Sequence, residues 1–218
     1  MSNTDMRAIE AQEVVDKLKT TGHISTVPRP SLREQLLSAG LETLRRKGFN
    51  GSSVQDITDA AGAPKGSFYN HFESKEALAA EAVREYQEQR RVLLDILRDQ
   101  KLAPLRRLRR YFESVTQVAV EAKFSTGCLL GNFAAELSNQ SPVICERVGE
   151  AFASWVDDVA AVIAEAQRAG AISRNFSSKA LAEFVIHAWE GAILRAKVQK
   201  DRAPLDLFLK VIFSRILA

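Results

Sequence analysis

The chain has only two cysteines, Cys128 and Cys145, among 218 residues. Two thiols make neither a disulfide framework nor a cysteine-rich zinc site. The three histidines, His23, His71 and His187, are scattered and show no metal-ligand spacing, so neither a metal nor any other cofactor is expected. No apolar run approaches the roughly 20 residues that cross a bilayer. The start, Met1-Ser2-Asn3-Thr4-Asp5, lacks a basic region followed by an apolar core. No signal peptide is therefore expected, and a cytoplasmic, membrane-free protein is. A net charge of +3 is too small for a general polyanion coat, so any binding to nucleic acid needs a local patch. There is no internal repeat and no low-complexity tract.

The content is that of an ordinary globular chain, with 46% hydrophobic and 26% charged residues, ample for a core. The six prolines and eleven glycines fall between periodic segments rather than inside them. The spacing of apolar residues predicts an all-α protein. Residues 1–30 read as an arm, with Ala8, Ala11, Val14, Val15 and Leu18 near helical spacing; a mobile arm and a short docked helix both fit. A first helix is predicted over Ser31–Lys47, ended by Gly48, with Phe49 beneath it. Ser53, with Asp56 three residues on, caps a second helix in which Val54, Ile57, Ala60 and Ala61 face inward. Pro64 opens a third. Ser74 caps a fourth, predicted to run unbroken until just before Pro104. Further helices are predicted near 104–123, 127–138, 142–169, 178–199 and 204–217.

A short helix, a tight turn at Gly62 and a second short helix make a shape that enters the major groove of DNA. The decisive stretch is Pro64-Lys-Gly-Ser-Phe-Tyr-Asn-His-Phe-Glu73, followed by Ser74-Lys75-Glu76-Ala77-Leu78. Phe68 and Phe72 stand four apart on one helical face and belong to the core of the small domain. Lys65, Gly66, Ser67 and Tyr69 are left to meet base edges: an ammonium donor for guanine, a bare backbone, a hydroxyl, and a ring with its own hydroxyl. Asn70, His71 and Lys75 are placed to reach phosphates, as is Ser53 at the start of the second helix. Taken singly, each of these residues also fits a solvated helix face. Residues 29–75 hold seven Lys or Arg against five acids, a local excess that permits this role.

The string Ser67-Phe68-Tyr69-Asn70-His71-Phe72 with Lys75, Glu76 and Leu78 resembles the DNA-binding domain of the TetR/AcrR family of transcriptional repressors. Asn70 departs from the aromatic residue frequent at that position. The resemblance implies a helix-turn-helix domain over 31–77 and a helical ligand-binding and dimerisation domain over 78–218. It also implies a homodimer on a palindromic double-stranded operator, released by a small-molecule inducer. The last two helices would form the four-helix bundle between subunits, and the stripe Leu181, Phe184, Val185, Ala188, Trp189, Ala192, Ile193, Ala196 suits that face as well as a core.

Thr126-Gly127-Cys128-Leu129-Leu130-Gly131-Asn132 and Trp189-Glu190-Gly191-Ala192-Ile193-Leu194-Arg195-Ala196-Lys197 are similar to the branch with repressors responsive to N-ethylmaleimide and to acrylate. Cys128 falls where a helix would begin, so its free N–H groups would stabilise a thiolate, with Lys197 as a nearby cation. The same residue equally fits a small buried hydrophobe. Tyr111, Phe133, Trp155 and Trp189 are expected around the same cavity. Arg106, Arg107, Arg109 and Arg110 read as a solvated face. A thiol-dependent enzyme would need a base beside Cys128, and the sequence offers none. A helical interaction module without DNA contact is the other alternative.

Overall fold

The computed structural model describes residues 30–218, so the expectations for the arm before Pro30 lie outside the described residues. Among these residues every regular element is helical: α1 (Leu32–Lys47), α2 (Val54–Ala61), α3 (Lys65–Phe68), α4 (Lys75–Gln89), α5 (Arg91–Arg98), α6 (Pro104–Glu121), α7 (Leu129–Leu137), α8 (Pro142–Arg168), α9 (Ser178–Gln199) and α10 (Ala203–Val211), the last running into a wider turn at Ile212–Ile216. The all-α expectation holds. So do the bounds of the helices after Pro104, to within two or three residues, except that the last helix widens after Val211.

Two compact units divide the chain. One joins the described residues up to Gln89 with Gly127–Phe152; the other joins Arg90–Thr126 with Ala153–Ala218.

In the first unit, α1 and α2 begin with reciprocal caps. The Ser31 side chain accepts from the Glu34 N–H while Glu34 accepts from the Ser31 N–H, and Ser53 with Asp56 repeats the arrangement. Each satisfies N–H groups that a helix start leaves open. Leu36, Leu41, Leu44, Ile57, Phe68, Phe72 and Leu78 are buried at 0–3% exposure and form the core of this unit. In α2 the inward residues are Ile57 and Thr58, not Ala60, which is exposed. The Thr58 hydroxyl donates to carbonyls one turn back, at Val54 and Gln55, and is therefore satisfied where it is buried. Gly62 ends α2 at φ +64°, a left-handed cap that an L side chain resists.

The fourth helix is shorter than the sequence suggests. It ends at Gln89, and α5 starts at Arg91. Neither glycine nor proline marks this break. Arg90 is instead held by its own side chain, which donates to the Tyr111 hydroxyl at 2.7 Å and lies over the Trp155 ring at 4.3 Å. The second unit is centred on Phe112, Trp189 and Phe208, whose ring centroids lie 5.1–5.6 Å apart. Arg107 also departs from expectation: it is 1% exposed, donates to the Leu97 carbonyl at 2.8 Å and pairs with Glu165. Charge pairing lets it enter the core, while Arg106 remains exposed. Lys123 and Phe124, two successive non-glycine residues, hold φ values of +49° and +52° at the end of α6. The Lys200 ammonium, on the left-handed cap of α9, donates to the Phe124 carbonyl at 2.9 Å.

Candidate DNA interface and sensor residues

The short α3 depends on two anchors. Phe68 is fully buried and Phe72 is 3% exposed, their rings 5.6 Å apart, so the helix is fixed from below. The opposite side is open. Lys65, Gly66, Tyr69 and Asn70 are exposed; Ser67 and His71 are half-buried. Tyr69 is 57% exposed, and its ring stands edge-on to Phe68 at 5.3 Å, so the aromatic body is steadied while much of the side chain stays open. The Ser67 hydroxyl donates to the Pro64 carbonyl at 2.6 Å, which leaves its oxygen as an acceptor.

Gly66 is informative for what surrounds it. A Cβ placed there would meet nothing within 4 Å, and no positive φ requires a glycine. A glycine in a helix costs about 0.5–1 kcal/mol against alanine. No requirement among the described residues accounts for that cost.

Two residues expected to touch phosphate have other duties. The Ser53 N–H and hydroxyl both donate to Asp56, at 2.8 and 2.7 Å. The Lys47 ammonium meets the same carboxylate at 2.6 Å. These bonds, that of Lys47 first, hold the Asp56 carboxyl down at about 2. Lys75 donates to the Phe49 and Ser52 carbonyls, both at 2.7 Å, and lies 4.1 Å from the centre of the Phe49 ring. Partial burial pulls its ammonium below the usual lysine range, against the opposing pull of Glu136 and Asp56. Lys75 thus fastens the α1–α2 turn, with two donors already committed.

The expected sensor residues fall in both units. Cys128 and Phe133 belong to the unit that holds the helix-turn-helix; Tyr111, Trp155, Trp189 and Lys197 belong to the other. Cys128 occupies the N-cap position of α7 with φ −69° and ψ 128°, its side chain making no capping hydrogen bond, and is 6% exposed. The Tyr86 hydroxyl donates to its sulfur at 3.8 Å, and the Arg45 guanidinium lies 5.5 Å from the centre of the Tyr86 ring. Tyr86 and Arg45 were missed as companions of the thiol, since 42 and 83 residues of chain separate them from it. Arg90 draws Tyr111 and Trp155 together, and Trp189 sits in the aromatic core. Lys197 is half-buried near the end of α9.

A further surface lies on α9 and α10. Phe184, Leu194, Val198, Leu207 and Val211 are 41–73% exposed, and a Cβ on the exposed Gly191 would meet nothing. Phe184, Gly191, Leu194 and Val198 share one stripe of α9 at sevenfold and threefold spacings, the pattern by which helices pair. Among the described residues no helix is long and apolar enough to cross a membrane, and no cluster of His, Cys, Asp and Glu could hold a metal ion.

Comparisons with known proteins agree with this geometry. Residues 36–82 match the model of bacterial regulatory proteins of the tetR family, and residues 104–212 match the tetracyclin repressor-like C-terminal domain. The HTH-type transcriptional repressor DhaR of Mycobacterium sp. (strain GP1) is 42% identical over 190 residues, covering 87% of this chain and 94% of that protein. The crystal structure of a regulatory protein TetR from Rhodobacter sphaeroides superposes with a TM-score of 0.80 at 34% identity, over 84% of this chain and 98% of that one. The reduced form of Escherichia coli NemR gives a TM-score of 0.74 at 25% identity, over 86% and 97%. With both matched segments spanning the helix-turn-helix and the C-terminal helices, the chain belongs to the TetR family of bacterial regulatory proteins, DNA-binding transcriptional regulators rather than enzymes.

Proposed function

We propose that the chain is a homodimeric repressor that holds a palindromic operator until a small electrophile or oxidant acts at Cys128. The observation that carries the DNA-binding half is α3, fixed from beneath by Phe68 and Phe72 and open along Lys65, Gly66, Tyr69 and Asn70. Lys65 and Tyr69 read base edges, Gly66 admits the DNA closely, and Asn70 and His71 meet phosphates. Ser53 and Lys75 act one step back, by holding α2 at the angle from which its backbone can approach the duplex. Two such heads, about one DNA turn apart, require a two-fold dimer. The exposed apolar stripe of α9 and α10 suits that pairing.

Support for the thiol half comes from the place of Cys128 at the start of α7 and from the donor that faces its sulfur. Both favour a thiolate, the species that adds to activated alkenes or is oxidised to a sulfenic acid. DNA selected from a random pool by the purified protein tests the whole proposal. Lys65→Ala should weaken binding to the selected duplex by about 1–3 kcal/mol. N-ethylmaleimide should release the wild type but not Cys128→Ser; equal release of both rejects the thiol switch.

A further inference from the structure

The turn between α1 and α2 is gripped by a residue far along the chain. Glu136, in the last turn of α7, accepts from the Asn50 N–H at 2.8 Å. A Cβ on Gly48 would collide with the same carboxylate, and Gly48 holds a φ of +76°. The left-handed backbone favours glycine at this position, and a larger residue there would have to push the Glu136 carboxylate aside. On the same face of α7, Phe133 meets the Phe49 ring edge-on at 6.4 Å, and the Asn132 amide approaches the Arg45 carbonyl at 3.5 Å. From α4, Lys75 holds the Phe49 and Ser52 carbonyls. The turn that precedes α2 is therefore pinned between α7 and α4, all within one compact unit.

We infer that Glu136 is a positioning residue for operator binding, setting the α1–α2 turn, and with it the start of α2, from the far end of the helix that Cys128 begins. This rests on the DNA-binding half of the proposed function and on no property of the thiol. The mechanics are short-range. The clasped N–H belongs to Asn50, three residues before the Ser53 cap, and what it needs from position 136 is an acceptor at the right reach. A displacement of α7 would be passed through Glu136 to Asn50 and then to α2. Glu136 touches no base and no phosphate; it acts through the turn.

Three variants separate reach from charge. E136A removes both, E136Q keeps the acceptor without the charge, and E136D keeps the charge one methylene short of Asn50. Two readouts are needed: anisotropy on a duplex selected by the wild-type protein, and hydrogen exchange of the peptide spanning residues 48–58. E136A and E136D should bind about tenfold more weakly and exchange faster, and E136Q should restore most of both. Wild-type affinity in E136A and E136D overturns the inference, and so does loss in E136Q equal to that in E136A. Should E136A fail to fold, E136D against E136Q decides. Should the wild type select no duplex, the proposed function fails, while exchange alone still tells whether the clasp exists: unchanged exchange in E136D refutes it.

Discussion

Replacing Gly66 with alanine is the sharpest single test of where the DNA lies, because stability and binding should move in opposite directions. Among the described residues the added methyl group meets no atom within 4 Å, so nothing there opposes it. Removing a glycine from a helix stabilises by about 0.5–1 kcal/mol. In α3, only four residues long, the lower end applies, and the melting temperature should rise by about 1–2 °C. Operator affinity should fall. If the backbone at Gly66 approaches a base edge, the methyl group displaces a contact worth about 1–3 kcal/mol, a five- to 150-fold rise in Kd. Scanning calorimetry and fluorescence anisotropy on the same preparation measure both. An alanine variant that melts higher and binds as well as the wild type would show that the DNA does not approach Gly66, and α3 would have to dock on another face.

Further expectations follow from the rest of the molecule. Asp56 should titrate with a midpoint near 2, far below its usual 3.8, because Lys47 and Ser53 favour the carboxylate. Since folding depresses this value, the support it gives α2 is complete above about pH 4 and is lost as pH falls through 2. A carboxyl NMR titration centred near 3.8 would refute the assigned cause. Leu194→Glu, at a position 58% exposed on the apolar stripe of α9, should give folded monomers with little operator affinity. Sedimentation showing an intact dimer would move the subunit contact elsewhere.

Local signals were legible in the sequence where short-range physics decides the outcome. Ser53 with Asp56 announced a cap, the Phe68–Phe72 spacing announced a buried side, and the periodicity of residues 178–199 gave α9 its limits. What stayed hidden depends on partners distant along the chain. The break at Arg90 carries no glycine or proline, and the groups its side chain meets there, Tyr111 and Trp155, lie far along the chain. Arg107 looked like its solvated neighbours until Glu165, 58 residues on, accounted for its burial. The clasp of Glu136 on Asn50 spans 86 residues, and a lone surface glutamate on a predicted helix gives no sign of it. The site residues divide in the same way: the exposed face of α3 could be read from spacing, whereas the second duties of Ser53 and Lys75 could not.

Lys123 and Phe124 keep a backbone shape that costs an L residue roughly 1–2 kcal/mol apiece. That corner is a reserve of robustness the chain leaves untapped, in a segment carrying none of the side chains proposed to read DNA. Anyone wishing to harden this regulator for use as a biosensor could begin there, with glycine or asparagine, before altering a single residue that meets its target.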